Sequence, residues 1–360
     1  MKRAITTIIL CLQALLMAAQ IPASSDLISY SGRIQSRDWG VSFDWSGVTV
    51  HVKFKGSQLR MNCSDTGCDY FNVWIDKTPG PLEDAVLEVK GDNTDLRICS
   101  GLKKGEHDVY LQKRTEGEQG CVTIESFYTD GQFLKATNSR KRRIEFIGDS
   151  YTCGYGTEGM NREQPFRARE ENCNRTYAAI LGRYFDAEIN LVCHSGRGIS
   201  RNYDDGDADN TMVARYDRTF DENPDVKWSA RLAGYNPDIV VIYLGTNDFS
   251  TGKQPTMERW CSDYAKLIGK VRTNYGNDVP ILCVASRASE MMGSYVAEAV
   301  RRCGDDNVSW TAIQQSVHND TTELGSSWHP NYTGQRKVAF CIAPYISTLT
   351  NWSLPFKALE

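Results

Sequence analysis

The chain has 360 residues, 41% hydrophobic and 24% charged, with a formal net charge of -4 at pH 7. This is room for about two domains, a composition of the globular kind, and no basic footprint for a nucleic-acid partner. The one long apolar run, near the N terminus, is too short for a comfortable membrane span.

That run reads as an export signal. Lys2 and Arg3 supply the charged region, Ile8 to Ala19 the apolar core, and Ala23 before Ser24 a cleavage point. The expectation is a leader over residues 1–23 and a mature protein that is secreted, periplasmic or on the cell surface. Twelve cysteines less Cys11 in the leader leave eleven (12 − 1), and an oxidising compartment should pair several of them. Cys63 with Cys68, Cys99 with Cys121, and Cys153 with Cys173 are the local candidates. The spacing of Cys63 and Cys68 has no matching second pair, so a zinc site is not expected. Six sequons include Asn331, where a glycan would crowd a candidate base. This favours a bacterial exported protein.

From Ile28 to about Phe133 short alternating segments recur between Gly, Pro, Asp and Asn: Val48–Phe54, Tyr70–Ile75, Ala85–Val89, His107–Leu111 and Val122–Phe127. Strands at this spacing predict an antiparallel β-sandwich over 24–139. Arg140-Lys-Arg-Arg143 reads as a solvated linker. Beyond it, over 140–360, apolar strands alternate with helices. The strands are Ile144–Ile147, Glu188–Cys193, Ile239–Leu244, Ile281–Ala285 and Val308–Ile313. The helices are Tyr177–Phe185, Glu258–Tyr275, Tyr295–Arg302 and one from about Gln335 that Pro344 should kink or interrupt. This alternation predicts an α/β domain with a parallel sheet covered on both faces.

Four pieces in this half carry chemistry. Gly148-Asp-Ser150 closes the first strand, Ser195-Gly-Arg-Gly198 follows the second, Gly245-Thr-Asn-Asp248 follows the third, and Trp328-His-Pro-Asn331 precedes the last helix. Pieces that follow parallel strands reach one edge of the sheet, where ligands bind. Ser150 is a candidate nucleophile and His329 its base. The backbone N–H groups of Ser150 and Gly196 and the amide of Asn247 are candidates for an oxyanion hole. Asp149 and Asp248 read as local scaffolding, and His194 as a buried, satisfied histidine. Trp328, Tyr155, Arg197, Asn202 and Tyr203 are candidates for contacting substrate. The acidic run Asp204–Asn210 lacks the glycine and glutamate of an EF-type loop and reads as a solvated loop. No metal or cofactor is called for.

These four blocks resemble those of the SGNH, or GDSL-type, hydrolases. The longer strings Gly148-Asp-Ser-Tyr-Thr-Cys-Gly-Tyr-Gly156 and Ser195-Gly-Arg-Gly-Ile-Ser-Arg-Asn-Tyr203, with Trp-His-Pro-Asn, are similar to carbohydrate esterase family 2, as is Gly32-Arg-Ile34. The resemblance implies an N-terminal jelly roll and a C-terminal flavodoxin-like SGNH domain. It also implies a serine ester hydrolase that removes acetyl groups from plant cell-wall polysaccharide such as xylan or glucomannan. One position departs from the pattern. The aspartate expected three residues before the histidine is Ser326. A Ser–His dyad follows, with a backbone carbonyl or Ser326 orienting the imidazole; Asp320 or Glu323 arriving from upstream is the alternative. The rival functions are a catalytically weak carbohydrate-binding protein and another SGNH esterase, such as a lipase or thioesterase.

Overall fold

The computed structural model describes residues 19–359, apart from positions 208, 288, 356 and 358. Its first half is a ten-stranded antiparallel sheet folded into a β-sandwich. The strands are β1 (Ala19–Pro22), β2 (Ser29–Ser31), β3 (Gln35–Arg37), β4 (Gly40–Phe43), β5 (Thr49–Gly56), β6 (Leu59–Ile75), β7 (Ala85–Cys99), β8 (Gly105–Lys113), β9 (Val122–Thr129) and β10 (Gln132–Leu134). Alternation sets the inner face: Val50, Val52 and Phe54 of β5 are wholly buried, while Lys55 between them and the turn is exposed.

The strand expected over Tyr70–Ile75 is the end of a much longer one. Leu59–Asp65 of β6 pairs with β9, and Phe71–Ile75 pairs with β8. Register shifts, one of them between Asp65 and Cys68, interrupt its ladder with β7. Bulges bend a strand and let it pass from one layer to the other.

This geometry removes the expected disulfides, and all eleven described cysteines are unbridged. Cys63 and Cys68 lie opposite Asn93 and Lys90, three residues apart along β7, or about 10 Å, beyond the reach of a bridge. Cys99 faces Leu59 while Val122, next to Cys121, faces Asp65. Six residues of β6, about 20 Å, separate those points. The Cys153 thiol is 3.5 Å from Glu116 Oε2 and the Cys173 thiol 3.4 Å from the Lys113 carbonyl, each donating to oxygen instead.

The expected leader meets the sheet. Residues 1–18 lie outside the described ones, but Ala19–Pro22 pairs with Ser126–Thr129 of β9. Removing everything through Ala23 would strip this strand, so the first described strand falls within the expected leader. The basic run at 140–143 is no solvated linker either. Arg142 and Arg143 open the next strand. The Arg142 guanidinium donates to the Phe185 carbonyl at 2.8 Å and stacks over Trp352, and Arg143 pairs with Glu188 at 3.5 Å.

The second half holds a parallel sheet in the order β12-β11-β13-β14-β15. Its strands are β11 (Arg142–Gly148), β12 (Ala187–Cys193), β13 (Ile239–Tyr243), β14 (Ile281–Ala285) and β15 (Val308–Ala312). This is the flavodoxin order, whose switch point falls between β11 and β13. The helices are α1 (Ser150–Cys153), α2 (Tyr177–Tyr184), α3 (Met212–Arg215), α4 (Ala230–Ala233), α5 (Met257–Tyr275), α6 (Met292–Cys303) and α7 (Tyr332–Thr350). Both faces of the sheet are buried: Ile239, Val241 and Tyr243 join the core with α2 and α7, and Val240, Ile242 and Leu244 join the core with α5 and α6. α5 starts where the Thr256 side chain accepts from the Arg259 N–H. It buries Trp260, Tyr264, Leu267, Ile268 and Val271 along one stripe. Pro344 does not interrupt α7. It sits on the exposed face, where the carbonyl it leaves unpaired can turn to water.

The core on the α5 side is continuous with the sandwich interior. Arg33 seals this junction. It is wholly buried, donates to the Tyr216 and Arg218 carbonyls, lies 3.6 Å from Glu145, and stacks 4.0 Å from the Trp228 ring centre.

Candidate active site

β11 stops at Gly148, where an added Cβ would lie 1.9 Å from Thr152 Oγ1. Only glycine permits this tight strand-to-helix turn. Asp149 then caps α1, accepting the Tyr151 N–H at 3.1 Å. Ser150 is therefore presented at the carboxyl edge of the sheet, beside the switch point, with its backbone N–H in the unpaired first turn.

The loop ahead of α7 brings His329 to it. His329 Nε2 is 2.8 Å from Ser150 Oγ, and Nδ1 is 2.7 Å from the Ser327 carbonyl oxygen. A carbonyl can only accept, so Nδ1 carries the proton and Nε2 presents its lone pair to the serine hydroxyl. That carbonyl is aimed by unusual backbone. Ser327 and Trp328 both have left-handed φ, 50° and 62°, which costs of order 1–3 kcal/mol each. The surrounding bonds hold it: Ser327 N–H to the Gln164 carbonyl at 2.8 Å, Trp328 N–H to Arg162 at 3.2 Å, and Gly325 N–H to His329 at 2.7 Å.

Among the described residues no carboxylate touches the imidazole. Asp320 pairs with Arg287 at 2.7 Å and Glu323 with Lys337 at 2.8 Å, and the Ser326 hydroxyl, wholly buried, has no partner. Of the orienters weighed, the backbone carbonyl alone is in place. Burial pushes His329 down to about 4, against a smaller upward pull from the Ser327 carbonyl and the charge of Glu116. The ring is thus a neutral base at neutral pH.

The oxyanion candidates come from the loops after β12 and β13. Gly196 has φ +76°, and an added Cβ would lie in ordinary contact with Tyr203 Cβ at 3.8 Å. Asp248, wholly buried, accepts the N–H groups of Ile199, Ser200 and Arg201 at 2.7–2.9 Å and so fixes this loop. Asn247 Nδ2 donates to the Arg197 carbonyl at 2.9 Å and reaches Asp149 Oδ2 at 3.4 Å. The shorter bond ties one amide hydrogen to this loop, and the contact to Asp149 is long, so the second hydrogen can turn toward an oxyanion.

Residues 146–337 match the GDSL-like Lipase/Acylhydrolase family, and residues 30–137 match the family described as Carbohydrate esterase 2 N-terminal. A solved family two carbohydrate esterase from Clostridium thermocellum, in complex with cellohexaose, superposes with a TM-score of 0.82. It is 32% identical over 91% of this chain and 100% of that one. The chain belongs to carbohydrate esterase family 2. Among curated relatives of this chain, cellulase/esterase CelE of Acetivibrio thermocellus is 33% identical over 335 residues. These make up 90% of this chain but 40% of CelE, so this chain spans less than half of that protein. An acetylxylan esterase / glucomannan deacetylase of Cellvibrio japonicus is 28% identical over 311 residues, 83% of each protein.

The residues expected to contact substrate divide. Trp328 is 53% exposed beside the base, with the Arg162 guanidinium 4.3 Å from its ring centre. Tyr155 stacks on Phe166 at 3.7 Å and lies 4.6 Å from the His329 ring. Tyr203 is exposed, and its N–H donates to the Gly196 carbonyl at 2.8 Å. Asn202 differs from the expectation. It is buried, accepting the Gly198 N–H and donating to the Asp207 carbonyl, so its amide is consumed building the oxyanion loop. Arg197 is tied down as well, 3.1 Å from Asp207. Arg197, Arg201 and Lys253 form ion pairs with the acidic run. His194 is buried and 2.6 Å from Asp221 Oδ2. Asn331 caps α7, accepting the Thr333 and Gly334 N–H groups.

Sequence reasoning missed Phe166, Arg162 and Glu116 of this esterase. None lies in a recognisable block, and Glu116 belongs to the other half of the chain.

Proposed function

We propose that this esterase removes O-acetyl groups from plant cell-wall polysaccharide of the xylan or glucomannan class, with Ser150 as nucleophile. Ser150 Oγ attacks the acetyl carbonyl carbon while His329 Nε2 takes the hydroxyl proton. The carbonyl oxygen becomes an oxyanion, met by the N–H groups of Ser150 and Gly196 and the Asn247 amide. Collapse expels the sugar oxygen, which takes the proton from Nε2 and leaves acetyl-Ser150. Water, deprotonated by the same imidazole, then releases acetate and restores the serine. Throughout, the Ser327 carbonyl holds the Nδ1 proton and the ring orientation, in the place a carboxylate has in a triad.

The reading is carried by the 2.8 Å approach of His329 Nε2 to Ser150 Oγ with the tautomer fixed on the far side. The polysaccharide class is supported by the names of the curated relatives. The exposed Trp328 and the Tyr155–Phe166 stack give sugar rings an apolar face. Export is part of the proposal and rests on the leader-like first residues; a mature N terminus upstream of β1, read by mass spectrometry of cultured material, is the expected result.

The test is acetate release from acetylated xylan and glucomannan, and from a chromogenic acetyl ester, by the wild type and by Ser150→Ala. Loss of essentially all release in the variant is expected. A glycan-binding protein without turnover is the second reading, favoured by the absence of a carboxylate on His329. Release that does not depend on Ser150, or no release with retained glycan binding, decides against the esterase mechanism.

A further inference from the structure

A buried acidic group from the sandwich reaches into the hydrolase half. Glu116 follows β8, just before a short 3-10 turn at Gly117–Gln119, and is wholly buried, as is Glu171 beside it. Glu116 Oε2 accepts the Ser195 N–H at 2.6 Å, and the same oxygen lies 3.5 Å from the Cys153 thiol. Ser195 is the residue before Gly196. Cys153 ends α1, three residues after Ser150. One carboxylate oxygen therefore holds both the segment that carries the nucleophile and the loop that carries an oxyanion donor.

The neighbouring groups explain how such a carboxylate is tolerated. The Glu116 N–H donates to Glu171 Oε2 at 3.1 Å. Burial first, and then the Glu116 charge, push the Glu171 carboxyl well above the usual range, against the opposing Lys113 ammonium. Lys113 Nζ, buried on Asp69, also donates to the Glu116 carbonyl at 3.0 Å. The chain on the other side of Glu171 is anchored by Arg114, whose Nε donates to the Glu171 carbonyl at 2.8 Å. The pair is thus braced from β8, from the turn after it and from the segment that holds Glu171.

We infer that Glu116 is a positioning residue of the active site. It is a clamp from the β-sandwich that sets the Ser195–Gly196 backbone relative to Ser150, so that the sandwich completes the oxyanion hole. This rests on Ser150 as the nucleophile. A hydrogen bond of this short, charge-assisted kind fixes the donor's place closely, and misplacing a transition-state donor by about 1 Å costs of order 10²-fold in rate. The geometry separates reach from charge. Glutamine at 116 keeps an oxygen for the Ser195 N–H and turns its amide hydrogens to Glu171. Aspartate keeps the charge but draws the oxygen back by one methylene.

The experiment compares Glu116→Gln and Glu116→Asp with the wild type on a chromogenic acetyl ester, alongside Ser150→Ala and with Tm for each. Glutamine should stay within about threefold of wild-type kcat. Aspartate should lose at least about tenfold in kcat with KM little changed, of the order expected for a misplaced donor. A glutamine variant that loses tenfold, or a folded aspartate variant that keeps its turnover, overturns the clamp. Should the aspartate variant not fold, hydrogen exchange of the wild-type Ser195 amide decides: protection like that of sheet amides is expected, and free exchange overturns the inference. Activity surviving in Ser150→Ala would instead overturn the nucleophile, whatever the Glu116 variants do.

Discussion

The acid side of the pH profile tests the carbonyl-oriented histidine most directly. The His329 ring is half-buried against Tyr155 and Tyr151, and among the described residues its two nitrogens meet a carbonyl and the serine hydroxyl. Burial disfavours its cation and brings it to about 4. A base is active in its neutral form, so activity is present above that value and lost as pH falls through it. At pH 5 about nine-tenths of an imidazole titrating near 4 is neutral, against about 3% of one at the ordinary 6.5. The expected active fraction at pH 5 is therefore about thirtyfold larger than for an unperturbed histidine. Initial rates of acetate release at low substrate, followed from about pH 3.5 to 8, give kcat/KM and hence the free enzyme's titration. An acid limb centred near 4 to 5 is expected. A midpoint above 6 would mean that the imidazolium is stabilised by a carboxylate, and would refute the dyad geometry.

Three further outcomes follow from particular contacts. Asn247→Ala removes one oxyanion donor and leaves the Arg197 carbonyl without its partner, so kcat should fall by about 10²–10³ with KM nearly unchanged; steady-state kinetics check this, and a loss under tenfold argues for a turn role alone. Trp328→Ala should raise KM by about fivefold to tenfold for acetylated oligosaccharide, the scale of one aromatic contact, and leave the small chromogenic ester untouched. Equal effects on both substrates would show that the indole supports the His329 loop instead. Arg33→Met leaves Glu145 buried beneath the sandwich with only the hydroxyls of Tyr216 and Tyr275 and the Asn190 amide. The expected loss is about 3–5 kcal/mol in denaturant unfolding, and a change under 1 kcal/mol would mean that the junction does not depend on this ion pair.

The local elements were legible because their signals are local. Buried parallel strands read as apolar runs, so β14 falls on Ile281–Ala285 as the sequence predicts, and α5 is bounded by its cap and its apolar stripe. Ser150, Gly196, Asn247 and His329 were legible because a tight turn, a left-handed glycine and strand-end loops each need particular residue types in sequence. Other features gave no such signal. The continuity of β6 across both layers depends on which strands pair with each half, and the Cys63–Cys68 and Cys99–Cys121 candidates failed for that reason. Pro344 is tolerated because of the face on which it falls.

The strongest contrast lies within the site. Sequence alone pointed to a serine and a histidine that meet at one sheet edge, since parallel strands point their ends the same way. Only the tertiary structure decided that a main-chain oxygen of Ser327 orients the imidazole, and that Glu116, 34 residues before Ser150 in the sequence, stands behind the oxyanion loop. A backbone carbonyl is present at every position, so no residue type announces the one that is aimed. A buried carboxylate, likewise, looks like any surface glutamate until the packing that surrounds it is known.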